Sequence, residues 1–272
     1  MATQPVSNPE AQPQGFPGQP TTFYRLTAQQ IAELKSYVIR RESSLDRDLL
    51  PYGDPAGKDV LVFGCGFGNE VLWAARRGAN SILAVDLSPA LSPLPLQEAL
   101  RDQGIDFDRF EFRRENIHDT ALSEDRYDLI VSNGVFEHVM DLKGVLGAFR
   151  TLLRPGGRVA IFADGLWYSS IGGHIGSDPW EHLWRTPREL QSKLSPERWN
   201  VFCNQLNRMT VTDFLQAASS VGVIVLQLRL GRDPNIGQLG DYLPRIREQC
   251  DISLTNLSVV SIGCELCFEE SL

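Results

Sequence analysis

What the sequence lacks narrows its class first. No apolar run approaches the roughly 20 residues that a membrane-spanning helix needs. The opening "MATQPVSNPEAQPQGFPGQP" has neither the basic start nor the apolar stretch of a secretory signal. Positive charge is also short. Against 34 acids stand 26 lysines and arginines, and the net charge of −8 gives no general attraction for a phosphate backbone. Neither a membrane nor a nucleic acid is an expected partner. Cysteine is sparse and odd in number, five in all. Cys264 and Cys267 form a C-x-x-C pair, but on an extended strand side chains three apart point to opposite faces and cannot readily chelate one metal. No metal is expected, and the cysteines read as thiols of a reducing, cytoplasmic compartment.

What is present describes a globular enzyme-sized domain. With 272 residues and 42% apolar composition, the chain can bury a substantial core. Pro, Gln and Gly dominate residues 1–20, which read as a disordered tail. A helix is predicted over 27–40, capped by Thr27, with Ile31, Leu34, Tyr37 and Val38 on one face. Strand-like segments follow at "DVLVFG", "SILAVD", "RFEFRR", "YDLIVS" and "RVAIFAD", with helical stretches between them, and two late strands bring the total to about seven. This alternation predicts an α/β fold, a mostly parallel sheet covered by helices on both faces. Residues 166–209 interrupt it. The boundaries that follow are a tail at 1–20, a helical cap at 21–57, a ligand-binding core at 58–165, a lid at 166–209 and the rest of the core sheet at 210–272.

Ligands of such sheets bind at the carboxyl ends of strands. "FGCGFGNE" ends the first strand and opens a helix, and Gly64, Gly66 and Gly68 permit a tight turn and close backbone approach. The spacing is not that of a dinucleotide fingerprint, because Asn69 stands where the last glycine belongs. The loop also lacks the lysine and hydroxyl pair of a phosphate loop. Asp86 ends the second strand about twenty residues on, where an acid can hold ribose hydroxyls. Asn116 follows the third strand, where an amide could read an adenine edge.

With these residues in register, "VLVFGCGFG", "AVDLSP", "RENIHD", "YDLIVSNGVFEHVMD" and "LLRPGGRVAIF" resemble the successive motifs of class I S-adenosylmethionine-dependent methyltransferases, in the small-molecule, type 11-like branch. The resemblance covers roughly residues 58–165. It implies a Rossmann-like seven-stranded sheet whose last strand is antiparallel, with S-adenosylmethionine as cofactor. It implies that Gly64, Cys65, Gly66 and Gly68 wrap the cofactor's amino-acid part, and that Asp86 holds the ribose. Leu87, Asn116 and Ile117 would flank the adenine, and Asn133 and Gly134 would lie under the methionine portion. The departure is Val62, where the family has an acid that helps hold the cofactor's ammonium. Glu70, Glu137 or a backbone carbonyl would have to replace it. The prolines of "DLSPALSPLPL" predict a longer loop over the adenine side.

Methyl transfer is an in-line displacement, so the protein must chiefly align the acceptor and, for a hydroxyl, remove its proton. The four histidines, His118, His138, His174 and His182, all follow the carboxyl ends of strands. His174 and His182, in the variable segment, are the leading base candidates, with His138 and Glu137 beside them. Trp167, Trp180, Trp184 and Trp199 make residues 166–209 an aromatic lid, with Gly172, Gly173 and Gly176 giving it mobility. These features predict a methyltransferase of a small-molecule acceptor, oxygen ahead of nitrogen or carbon. Alternatives are a protein acceptor, or a methyltransferase-like interaction protein that has lost activity. The stripe of Trp199, Phe202, Cys203 and Leu206 reads equally as a docked lid helix or a homodimer contact.

Overall fold

The computed structural model describes residues 26–87, 93–106, 109–176 and 178–269. The tail expected at 1–20, and positions 88–92 of the proline-rich loop, lie outside the described residues. Helices and strands alternate from the start. The order is α1 (Ala28–Glu42), α2 (Leu45–Asp48), β1 (Asp59–Phe63), α3 (Asn69–Arg76), β2 (Ser81–Asp86), α4 (Leu94–Asp102) and β3 (Phe110–Arg114). Then come α5 (Ile117–Thr120), β4 (Tyr127–Asn133), α6 (Leu142–Leu152) and β5 (Leu153–Asp164). The remainder is α7 (Glu181–Trp184), α8 (Pro187–Lys193), α9 (Pro196–Asn204), α10 (Val211–Ser220), β6 (Val223–Arg232), α11 (Leu239–Gln249), α12 (Leu254–Ser258) and β7 (Val259–Phe268).

Local chemistry sets several of these boundaries. Thr27 accepts from the Gln30 amide while the Gln30 side chain returns to the Thr27 amide, a reciprocal cap that starts α1. Thr186 and Thr210 start α8 and α10 in the same way, with Glu189 and Asp213.

The seven strands lie in the order β3-β2-β1-β4-β5-β7-β6. Only β7 among the described strands is reversed, antiparallel to both β5 and β6. β1 shows why its sequence is an unbroken apolar run, for both its faces are covered. Val60 and Val62 belong to one cluster with Val38 of α1, Trp73 of α3 and Leu96 of α4. Leu61 belongs to the other, with Phe149 of α6 and Phe214 of α10. Each such side chain taken fully from water contributes roughly 1.5–3 kcal/mol.

A third cluster stands apart from the sheet. Trp167, Trp180, Leu183, Leu190, Phe202 and Leu206 pack with Leu239, Ile246 and Leu257. Two stretches of chain build this cluster. One is the stretch after β5, and the other is α11 and α12, which lie within the segment that the sequence reading gave to the sheet. Asp233 joins them. Its buried carboxylate accepts from the Ser170 amide at 2.6 Å and the Asn235 amide at 2.8 Å, and Asn235 Nδ2 donates to Ser170 Oγ.

Candidate active site

β1 lies between β2 and β4, so strand order reverses there and the carboxyl ends of β1 and β4 open a crevice. The glycine loop forms its floor. Gly64 and Cys65 amides both donate to Val85 O, at 2.9 and 3.2 Å, which pins the loop to β2. Gly66 takes φ +48°, and a Cβ there would meet no atom within 4 Å, so the turn requires glycine and faces open space. Its amide donates to Asp86 Oδ2 at 2.8 Å, which ties the loop to the end of β2. Cys65 is buried and presents only backbone, and that burial pushes its thiol well up. Phe67 turns outward against Tyr37 of α1, edge to face at 6.1 Å, so the cap helix covers the loop.

The other cofactor candidates surround this floor. Leu87 is 65% exposed just past Asp86, while Ile117 is buried in the core. Asn116 Oδ1 caps α5 by accepting from the His118 amide at 3.0 Å. Asn133 donates to Glu70 Oε1 at 3.0 Å across the β4–α3 gap. Gly134 has φ +64°, and a Cβ there would sit 3.7 Å from Glu137 Oε1.

Val62 is fully buried and places no charge here. Two other acids do. Glu70, on the first turn of α3, is pushed up to about 7 by burial, opposed by its hydrogen bonds to Asn133 and Asn69. Glu137 is pushed up to about 8 by burial, with Asp164 adding to the rise, and its Oε2 is buried without a partner.

The histidines separate. His138 and His174 meet edge to face with ring centroids 5.3 Å apart. His138 Nδ1 lies 2.7 Å from Gln205 O; a carbonyl only accepts, so Nδ1 carries the proton and Nε2 is left as a base. His174 has φ +53°, and its Nε2 would be 2.9 Å from a Cβ on Gly165. Desolvation of its ring, then the neighbouring His138, lower its pKa. His182 does not join them. It is buried, its Nε2 faces Trp167 O, its ring packs against Trp167, and burial pushes its pKa down to about 4. His118 lies beside Gly144 of α6. Two of the three glycines expected to give mobility are crowded: a Cβ on Gly173 would fall 2.6 Å from the His182 side chain, and one on Gly172 would overlap the Leu166 and Trp167 carbonyls, whereas Gly176, at φ +72°, meets nothing within 4 Å.

Asp164 and Arg41 also act at this rim. Asp164 ends β5, and its charge acts on Glu137 and His174. Its signal was legible, an acid closing "RVAIFAD" as Asp86 closes "SILAVD". Arg41 of α1 acts electrostatically on both Glu70 and Asp164, yet forms no ion pair among the described residues. Nothing local in "VIRRES" marked it.

A polar groove of about 790 Å³ lies at the opposite, amino ends of the strands, lined by Arg109, Arg113, Arg126 and Arg154. Those cations are engaged, Arg113 by Glu111, Arg154 by Asp59 and Asp128, and Arg109 and Arg126 by carbonyls.

Comparison with known proteins bears on the family and the fold. Residues 61–161 match the family model described as "Methyltransferase domain". The chain carries a class I S-adenosylmethionine-dependent methyltransferase domain. A ubiquinone biosynthesis O-methyltransferase from Acinetobacter baumannii (strain ACICU) is 35% identical over 108 residues, which cover 39% of this chain and 44% of that protein. The chain thus spans less than half the length of the curated relatives it matches. A solved geranyl diphosphate C-methyltransferase from Streptomyces coelicolor A3(2) superposes with a TM-score of 0.54 at 14% identity, over 88% of this chain and 84% of that one. An S-adenosylmethionine-dependent methyltransferase from Mesorhizobium loti gives 0.51 at 19% identity, over 80% and 94%. These two likenesses show a shared fold. No helix among the described residues is long and apolar enough to cross a membrane, and no cluster of three or more metal-ligand side chains occurs among them.

Proposed function

We propose that the chain transfers the methyl group of S-adenosylmethionine to an oxygen of a small-molecule acceptor. One observation carries this reading: Gly66 faces open space in a left-handed turn, its amide held by Asp86 where strand order reverses. That site fits the cofactor. The open turn admits the amino-acid part against backbone, Asp86 stands at the end of β2 for the ribose, and exposed Leu87 offers an apolar edge to the adenine. Asn116, Ile117, Asn133 and Gly134 complete the cradle, and Arg41 supplies a cation for the carboxylate. When bound, the sulfonium supplies an activated methyl group. The relatives' names, an O-methyltransferase of ubiquinone biosynthesis and a geranyl diphosphate methyltransferase, support a small acceptor.

The remaining chemistry falls to this chain's side chains. His174, whose lowered pKa keeps it neutral near pH 7, accepts the acceptor's hydroxyl proton at a ring nitrogen. His138, fixed by Gln205, orients it. The two-part lid over this rim excludes water and encloses the acceptor. His182 supports the lid through Trp167 and takes no part in proton transfer.

Incubation with tritiated S-adenosylmethionine and fractionated small-molecule extracts tests the proposal. Label should enter a small acceptor, and His174→Ala should lower kcat by about 100-fold or more without weakening cofactor binding. Cofactor binding with no label transferred to any small molecule or protein would favour the interaction-protein alternative. Label found only in protein would replace the small acceptor with a macromolecular one.

A further inference from the structure

The cofactor's amino-acid part carries an ammonium, and the crevice has to supply it with an anion. Val62 contributes none, being fully buried among apolar side chains. Four acids reach the carboxyl ends of β1, β2, β4 and β5, and three of them are already engaged. Asp86 accepts from the Gly66 amide, Glu70 accepts from Asn133, and the neighbouring Gly165 amide favours the Asp164 carboxylate. Glu137 is different. It is 5% exposed and its Oε1 lies beside Gly134; its own backbone amide favours the carboxylate, yet its buried Oε2 has no hydrogen-bond partner. A buried carboxyl oxygen left unpaired is costly and is expected to have a use.

We infer, on the strength of the methyltransferase reading, that Glu137 is the counter-ion of the cofactor's ammonium, replacing the acid absent at position 62. The 3₁₀ turn Phe136–His138 holds it there, since the Asn207 side chain donates to Phe136 O and Val139 O at 2.6 and 2.8 Å and the Asn207 amide donates to Glu137 O. The charged group that acts on it is Asp164 of β5, with His138 on its own turn; His174 in turn faces His138 and Asp164, and Arg41 of α1 acts on Asp164. In the free protein Glu137 is neutral up to about pH 8. Docking an ammonium against it favours the carboxylate, so the proton on Glu137 leaves to solvent as the cofactor enters.

Calorimetric titration of the full chain with S-adenosylhomocysteine at pH 7, in two buffers of different ionisation enthalpy, reads that proton directly. Release of close to one proton per ligand is expected. Glu137→Gln should abolish the release and weaken S-adenosylhomocysteine binding by about tenfold or more, while methylthioadenosine, which lacks the amino acid, binds as it does to the wild type. Identical heats in both buffers with tight binding would overturn the assignment even if the variant failed to fold. So would a variant that binds S-adenosylhomocysteine normally and loses only turnover, because Glu137 would then serve the acceptor. A folded wild type that binds neither ligand would remove the methyltransferase reading along with it.

Discussion

The buried Asp233 carboxylate gives the sharpest test of how the lid is built. It accepts the Ser170 amide at 2.6 Å and the Asn235 amide at 2.8 Å, and thereby joins the segment after β5 to the one after β6. Hydrogen bonds to a charged group contribute about 1.5–3 kcal/mol each. Asp233→Ala leaves the buried Ser170 amide without its acceptor and the half-buried Asn235 amide partly so, and should cost about 3–4 kcal/mol. Against a total stability of roughly 5–15 kcal/mol the sheet should survive. If lid and sheet unfold together, that loss lowers the melting temperature by roughly 10 °C. Amide hydrogen exchange followed by mass spectrometry locates the effect. Protection should fall across 166–183 and 233–258 and stay intact in β1, β4 and α3. Unchanged protection in the lid, or a loss spread evenly through β1 and β4, would refute the idea that these two segments form one unit held by Asp233.

Three further outcomes follow from single sites. Burial lowers the folded-state pKa of His182 from 6.5 to about 4, so its contribution is complete above pH 6.5 and is lost as pH falls toward 4. That is worth roughly 3 kcal/mol, and His182→Phe should remove it, read as a flatter pH dependence of melting than the wild type shows. Glu137 has the opposite sign: its folded pKa of about 8 lies above the ordinary 4.5, so stability present below pH 4.5 is lost as pH rises toward 8. Without cofactor, Glu137→Gln should therefore melt higher than wild type at pH 8, with a smaller advantage at pH 5; an equal effect at both values would contradict this. Gly66→Val places a branched side chain at φ +48° in the open turn, and should abolish S-adenosylhomocysteine binding in calorimetry while leaving a folded protein that melts roughly 3–9 °C lower.

Much of the architecture was readable because each element is locally consistent with its place. The β1, β2 and β4 segments carry apolar runs that a sheet covered on both faces explains, and Thr27 marked its helix start within a residue. Class and cofactor family followed from the order of strand-end motifs. Side-chain direction was not readable. His174 and His182 both follow β5, yet the first turns toward His138 and the second into the lid core against Trp167. Gly172 and Gly173 suggested mobility, whereas they are small because carbonyls and His182 approach them closely. The second half of the lid was hidden for another reason. α11 contains Pro244, and its buried Leu239 and Ile246 pair with residues some sixty positions away, a separation no local pattern reports.

A crystal structure grown with S-adenosylhomocysteine bears most directly on the crevice at Gly66. Continuous density should run from Leu87 past Asp86, over the Gly66 turn, and end with the ammonium against Glu137. Density for the ligand elsewhere, or a Gly66 turn closed over by protein atoms, would contradict the assignment of this crevice as the methyl-donor site.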